Sequence, residues 1–141
     1  MQIKSSKGII VLKKKYLLQL RDNKKNIYFP NFWGLFGGRV GSNENFSEAL
    51  KREIKEEINL IISIKKKIFS TTYDMIGLKK KRKMIYYECL KTKNTQLILK
   101  EGKKFGLFKF EELKNLRIVP LDFVAINTHY HYYNNFTSLY R

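Results

Sequence analysis

Apolar residues along the chain alternate at first, then recur every fourth position, then alternate again. The N-terminal stretch "MQIKSSKGIIVLKKKYLL" reads as the first strands, with "GIIVLKK" and "YLLQLRD" rich in aliphatic and aromatic residues on either side of a lysine turn. "RDNKKNIYFPN" is a loop by its Asp, Asn and Pro content, and "FWGLFGG" is a short apolar strand running into a glycine turn. From Asn45 to Ile58 the spacing becomes helical, with Leu50, Ile54 and Ile58 forming one apolar stripe. Asn45 and Glu48 have the spacing of a capping box, in which each side chain satisfies the other's backbone amide. "NLIISIKKKIFSTTYDMIG" and "KRKMIYYECLKT" predict a strand or two and then a long strand around a basic loop. "QLILKEGKKFGLFKF" continues in the same style, "EELKNL" predicts a short helix, and "PLDFVAINTHYHYYNN" opens a last helix on proline. This order of strands and helices predicts an α/β fold, an α/β/α sandwich with helices on both sides of a mixed sheet.

At 141 residues the chain is the size of one domain, taken as residues 1–141, and 43% hydrophobic residues suffice for a packed core. It has no apolar run long enough to span a membrane. The single cysteine, Cys89, sits in the alternating "MIYYECLK", which favours a packed thiol and is consistent with a reducing cytoplasm. Charge changes the picture more. A formal net charge of +17 suits acidic partners such as nucleic acid or a phosphorylated small molecule. The lysine runs at 65–67 and 79–83 read first as solvated loops and strand edges, where Lys discourages edge pairing, ahead of a dedicated nucleic-acid face.

Against this basic background, Glu44, Glu48, Glu53, Glu56 and Glu57 crowd one segment just after Gly37 and Gly38. Each helical residue advances about 100° around the axis, so Glu53, Glu56 and Glu57 share one sector beside the apolar stripe. Carboxylates held this close repel one another unless a cation lies between them. Arg52 and Lys55 could balance a solvated face. A hard divalent ion with oxygen ligands does so more effectively, and Mg²⁺ shares its remaining positions with water and substrate phosphates. A glycine turn beside the cluster lets backbone carbonyls and amides approach a ligand.

The same residues carry a family resemblance. Gly38, Glu44, Arg52, Glu53, Ile54, Glu56, Glu57 and Leu60 match the Nudix hydrolase signature G-x5-E-x7-R-E-U-x-E-E-x-G-U, where U is aliphatic. The final glycine is replaced by Asn59, the next best residue for a left-handed helix cap. "LLQLRD", "FWGLFGG" and "LKEGKKFGLFKFEELKNLRIVP" resemble the family's flanking elements, so the likeness covers most of the chain. Phe36 stands where many members have proline, and Gly41 where many have an acid.

The resemblance implies hydrolysis of a nucleoside diphosphate linked to another group, with Mg²⁺ (or Mn²⁺) as cofactor. It implies Glu53, Glu56 and Glu57 as metal ligands, with the Gly38 carbonyl completing a coordination sphere. Arg52 would orient the glutamates, and the general base is Glu56, Glu57 or Glu101. Trp33, Gly37, Gly38, Arg21 and Arg39 are the substrate-binding candidates, with Phe32, Tyr28, Tyr73 and Phe105 as further stacking groups. A triphosphate, an oxidised one included, or a nucleotide sugar is the leading substrate. An RNA 5′ end is the alternative, and a non-catalytic nucleotide sensor and a homodimer stay open. His129 and His131, two apart, point to different sides of a helix and do not suggest a metal pair.

Overall fold

The computed structural model describes residues 2–92 and 96–133. Strand β1 (Gln2–Leu12) turns through Lys13 and Lys14, both at positive φ, into β2 (Lys15–Leu20). The "FWGLFGG" stretch, expected as one strand, is two: β3 (Trp33–Gly34) pairs with β2, and β4 (Phe36–Arg39) pairs with β1. The break falls at Leu35, whose N–H leaves the sheet and donates to Asp122 Oδ2 at 2.9 Å. Helix α1 (Phe46–Ile58) follows, and then β5 (Ile62–Asp74) and β6 (Lys81–Lys91) form a long antiparallel hairpin. The register of β5 slips between Ile64 and Lys66 and again between Lys67 and Phe69, so the "KKK" run is carried by bulges, not by a break.

Residues 96–100 form no strand, contrary to the alternating reading. Their backbone is used elsewhere: Ile98 N–H donates to Ile58 O and Lys100 N–H to Glu57 O, tying the segment to the end of α1. Strand β7 (Lys104–Phe108), a 3₁₀ turn (Phe110–Asn115) and helix α2 (Pro120–Tyr132) complete the described chain. The last residues of the expected final helix, Asn134 and Asn135, lie outside the described residues.

β1 organises the sheet. One edge runs parallel to β6 over Gln2–Ile10, and the other pairs first with β4 and then with β2. Neighbouring side chains on a strand face opposite ways, and here both are buried. Ile9 and Leu18 join Tyr16, Met84, Tyr86, Ala125 and Ile126 beneath α2. Ile10 and Leu17 join Phe36, Leu50, Ile54, Ile58 and Cys89 beneath α1. Strands buried on both faces need a cover on each, hence the α/β/α sandwich. At Gly8 a Cβ would come within 2.9 Å of Ile54 Cδ1, so the missing side chain sets how closely α1 approaches β1. Cys89 packs in this layer, and burial pushes its thiol up to about 12, leaving it an apolar filler. Among the described residues no helix is long and apolar enough to cross a membrane.

Candidate active site

The acidic helix is fixed at both ends by its own side chains. Asn45 Oδ1 accepts from Glu48 N–H at 2.8 Å, and Glu48 Oε1 accepts from Asn45 N–H at 3.0 Å. Asn59 closes the other end at φ 59° and ψ 35°, with its N–H on Lys55 O. It takes the left-handed shape that the signature's glycine would take. It adds bonds a glycine lacks, accepting from Lys55 Nζ and donating from Nδ2 to Gln96 O.

Strand β4 is wedged between β1 and α1, and each of its glycines answers to one of them. A Cβ on Gly37 (φ 151°) would fall 2.1 Å from Ser6 O, and one on Gly38 would fall 2.5 Å from the Glu53 carboxyl carbon. Glu53 is thus pressed to the Gly38 backbone, and Glu57 Oε1 accepts from Gly37 N–H at 3.0 Å. Glu57 is only 6% exposed. Burial, reinforced by the charges of Glu53 and Glu101, raises its pKa to about 8 against the opposing effects of the Gly37 N–H and Lys7. Glu53 is also raised, first by burial and then by Glu56 and Glu101, with Arg52 opposing. Glu101 is brought in by the 96–103 segment, where Gly102 (φ 85°) turns the chain and Lys103 N–H donates to Leu20 O.

Arg52 is the hub. It grips Glu44 with two bonds, Nε to Oε2 at 2.6 Å and Nη2 to Oε1 at 2.8 Å. Its Nη1 reaches Glu53 at 3.0 Å and Glu56 at 3.3 Å, and its Nη2 reaches the Arg39 carbonyl. The Arg52 bonds, with the Gly41 N–H beside them, hold the Glu44 carboxyl down at about 2. Gly41, in place of an acid, therefore serves Glu44 through its amide. Glu56 is turned outward, with its side chain 55% exposed.

A divalent ion fits this donor set in chemistry. Glu53 and Glu57 offer hard oxygen donors in a place where their own mutual charge calls for a cation. Among the described residues, however, no three acidic, His or Cys groups already converge on a common point. The Arg52 guanidinium, bonded to Glu53 and Glu56, supplies the positive charge instead.

Beside the glycine strand opens a cavity of about 320 Å³. Of the residues singled out from sequence, Arg21, Gly37, Gly38, Arg39, Tyr28 and Tyr73 line it. Trp33 does not. Its ring packs edge-on against Phe108 at 4.9 Å, while its backbone binds Arg117 O and Val119 N–H and so anchors the start of α2. Phe105 packs into the α1-side core, and Phe32 packs at a tilt against Phe29 with Arg117 over its ring. His129 is buried, 2.8 Å from both Glu88 Oε2 and the Tyr16 hydroxyl, whereas His131 packs edge-on to Phe110.

Sequence reasoning missed Lys7, Arg82, Tyr86 and Asp122, all of which line the cavity. Asp122 is fully buried and takes Lys7 Nζ at 2.8 and 3.1 Å, the Tyr86 hydroxyl at 2.6 Å and the Leu35 N–H at 2.9 Å. The signal was faint. An acid in the first turn after proline is ordinary helix chemistry, and Lys7 is one lysine among many.

The NUDIX domain family matches residues 4–137. The chain belongs to that family. The nucleoside triphosphatase NudI of Escherichia coli is 35% identical over 94 residues, covering 60% of this chain and 67% of that protein. The 8-oxo-dGTP diphosphatase of Buchnera aphidicola is 42% identical over 55 residues, which are 39% of this chain and 41% of that protein. Among solved structures, the MutT protein of Methanosarcina mazei superimposes with a TM-score of 0.76 at 19% identity, over 94% of this chain and 96% of that one. That likeness establishes the Nudix fold, and the family match with its nucleoside triphosphatase and diphosphatase relatives makes this chain a Nudix hydrolase.

Proposed function

We propose that this Nudix hydrolase cleaves the pyrophosphate linkage of nucleoside triphosphates, with Mg²⁺ or Mn²⁺ held by Glu53, Glu56, Glu57 and the Gly38 carbonyl. The observation that carries the proposal is the buried Glu57 carboxylate. It sits on the Gly37 amide with Glu53 and Glu101 acting on it, and Gly37 itself lines a cavity walled by Tyr28, Phe29, Tyr73 and Tyr86. When bound, the ion neutralises phosphate oxygens and makes a coordinated water nucleophilic near neutral pH.

The protein's own residues do the rest. Gly37 and Gly38 bring the backbone up to the acidic helix, and Arg52 keeps Glu44, Glu53 and Glu56 in register. Glu57, or Glu101, whose charge acts on it, accepts the proton of the attacking water. The aromatic walls stack the base, and Arg21 and Arg39 offer cations to the phosphate chain. The names of the two curated relatives, a nucleoside triphosphatase and an 8-oxo-dGTP diphosphatase, favour triphosphates over nucleotide sugars.

A second reading, an RNA 5′ end as substrate, rests on the β5–β6 hairpin. Asp74, Met75 and Ile76 line the cavity rim, and the 79–83 basic run continues from there along the hairpin. The 65–67 run lies apart, with Lys65 3.8 Å from Glu88 and Lys66 over the Tyr133 ring. A reducing cytoplasm suits the buried free thiol of Cys89.

The experiment is a panel of nucleoside triphosphates, an oxidised guanine triphosphate, a nucleotide sugar and a 5′-triphosphorylated oligonucleotide, each incubated with Mg²⁺ and assayed for pyrophosphate, phosphate and, for the nucleotide sugar, nucleoside monophosphate and sugar phosphate. Release from mononucleotides at rates independent of salt supports the proposal. Release confined to the oligonucleotide, falling steeply with salt, supports the second reading. No release from any of them overturns both.

A further inference from the structure

The cavity beside the glycine strand has a lopsided hydrogen-bonding character. Its lining holds the cations Lys7, Arg21, Arg39 and Arg82, against the carboxylates Asp74 and Asp122. Asp122 has no free lone pair, and Asp74 is a largely exposed group on the rim. Asp74 Oδ1 is 3.0 Å from Lys81 Nζ on the hairpin rim. Asp122 has two oxygens with two lone-pair directions each, and its four hydrogen bonds fill them: Lys7 Nζ and Tyr86 OH on Oδ1, Lys7 Nζ and Leu35 N–H on Oδ2. Tyr86 spends its proton on that bond. An incoming donor therefore finds no vacant carboxylate oxygen at the closed end.

The donors, by contrast, are in surplus. Lys7 carries three N–H groups and directs at most two at Asp122, and its side chain stays 14% exposed. Arg82 lines the same wall, and its buried Nε–H has no acceptor among the described residues. Lys7 therefore keeps a spare, partly exposed N–H at the cavity surface, so a ligand that supplies an oxygen there is favoured over one that supplies another N–H.

From this we infer that Lys7 and Arg82 make the cavity selective for keto bases, whose edges present a carbonyl oxygen (guanine O6, uracil or thymine O4). Adenine and cytosine place an amino group at the equivalent position and are disfavoured. Asp122 acts as a positioning residue, holding Lys7 Nζ at the end of the cavity. The inference rests on the reading of this site as a nucleotide pocket, and it names the class of nucleotide.

Selectivity and catalysis are separable by measuring both. Equilibrium binding of GMP, UMP, AMP and CMP, followed by quenching of intrinsic fluorescence, needs no turnover. kcat/KM for the four triphosphates with Mg²⁺ gives the catalytic counterpart. The keto nucleotides should bind and turn over better than their amino counterparts by roughly tenfold or more, since a site built for a hydrogen bond discriminates steeply. Lys7→Met should shrink that ratio mainly through KM, and Lys7→Arg should restore much of it. Because Lys7→Met leaves Asp122 without its cation, Arg82→Met provides a second variant that spares the Asp122 network, and it should shrink the ratio as well. Equal or tighter binding of AMP or CMP by the wild-type protein overturns the inference whether or not the enzyme turns over. Selective keto binding without hydrolysis of any triphosphate leaves the inference standing and removes the catalytic reading. Absence of both binding and hydrolysis removes both.

Discussion

Two buried carboxylates of this protein, Asp122 and Glu57, lie within the influence of Lys7 and have opposite surroundings. Asp122 is wholly enclosed, yet every lone pair has a donor: an ammonium, a phenol and a backbone amide. Glu57 is nearly as enclosed, but it rests on the Gly37 amide with the like charges of Glu53 and Glu101 acting on it. A charge satisfied by fixed donors is part of the framework, and the cavity wall built on it is rigid. A charge that burial and its neighbours disfavour is stable only as an acid or beside a mobile cation. On the proposed function the first would serve recognition and the second chemistry, with the glycine strand β4 between them.

The widest separation between the two should come from removing each charge in turn. Glu57→Gln should lower turnover by more than about 100-fold, beyond the loss typical of a merely supporting group at a metal centre. Its thermal stability near neutral pH should rise, because keeping the buried carboxyl protonated while the unfolded chain ionises costs stability that an amide does not. Steady-state rates and a melting curve on the same sample check this, and undiminished turnover would place the chemistry elsewhere.

Asp122→Ala should do the opposite to stability. It strands Lys7, Tyr86 and the Leu35 N–H, and losing one partner of a buried pair costs about 3–5 kcal/mol, readable by chemical denaturation. A loss below about 1 kcal/mol would show that Asp122 is less integral than its bonds imply.

The smallest effect, and the one that sharpens the contrast most, is in the pH dependence of the metal-free protein. Folded Glu57 keeps its proton up to about 8, whereas in the unfolded chain it releases it near 4.5. Between those values the native state binds the extra proton, so stability falls as pH rises. The contribution is fully present below the unfolded pKa and is lost as pH climbs through the folded one. Melting at pH 5 and pH 8, with and without Mg²⁺ or Mn²⁺, should show this decline and its reversal by the ion. Glu57→Gln should remove its share of the slope. A wild-type curve that rises over the same window would contradict the assigned environment of Glu57.

Much of the acidic half was legible along the chain because it is local. Capping, the every-fourth stripe of Leu50, Ile54 and Ile58, and the sector shared by the glutamates depend on residues within a few turns of one another. Helical spacing placed Glu53, Glu56 and Glu57 together, and the fold grades them: Glu53 and Glu56 share Arg52 Nη1, while Glu56 is the more exposed. Which glutamates face inward is decided by β4, whose bare backbone receives Glu53 and Glu57. Residues 96–100 misled for a related reason. Their alternation is that of a strand, but the backbone groups available to them were the terminal carbonyls of α1.

By itself, the sequence determined the layered α/β architecture, the capped acidic helix, the glycine turn beside it and membership of a hydrolase family, since each is written in short-range periodicity or in one contiguous signature. Only the tertiary structure decided what closes the neighbouring cavity. Lys7, Leu35, Tyr86 and Asp122 come from β1, the β3–β4 break, β6 and α2, and no spacing along a chain encodes a meeting of four such distant positions. Their selection is a matter of hydrogen-bond satisfaction inside a low-dielectric enclosure, and that enclosure exists only once the sheet and α2 have packed.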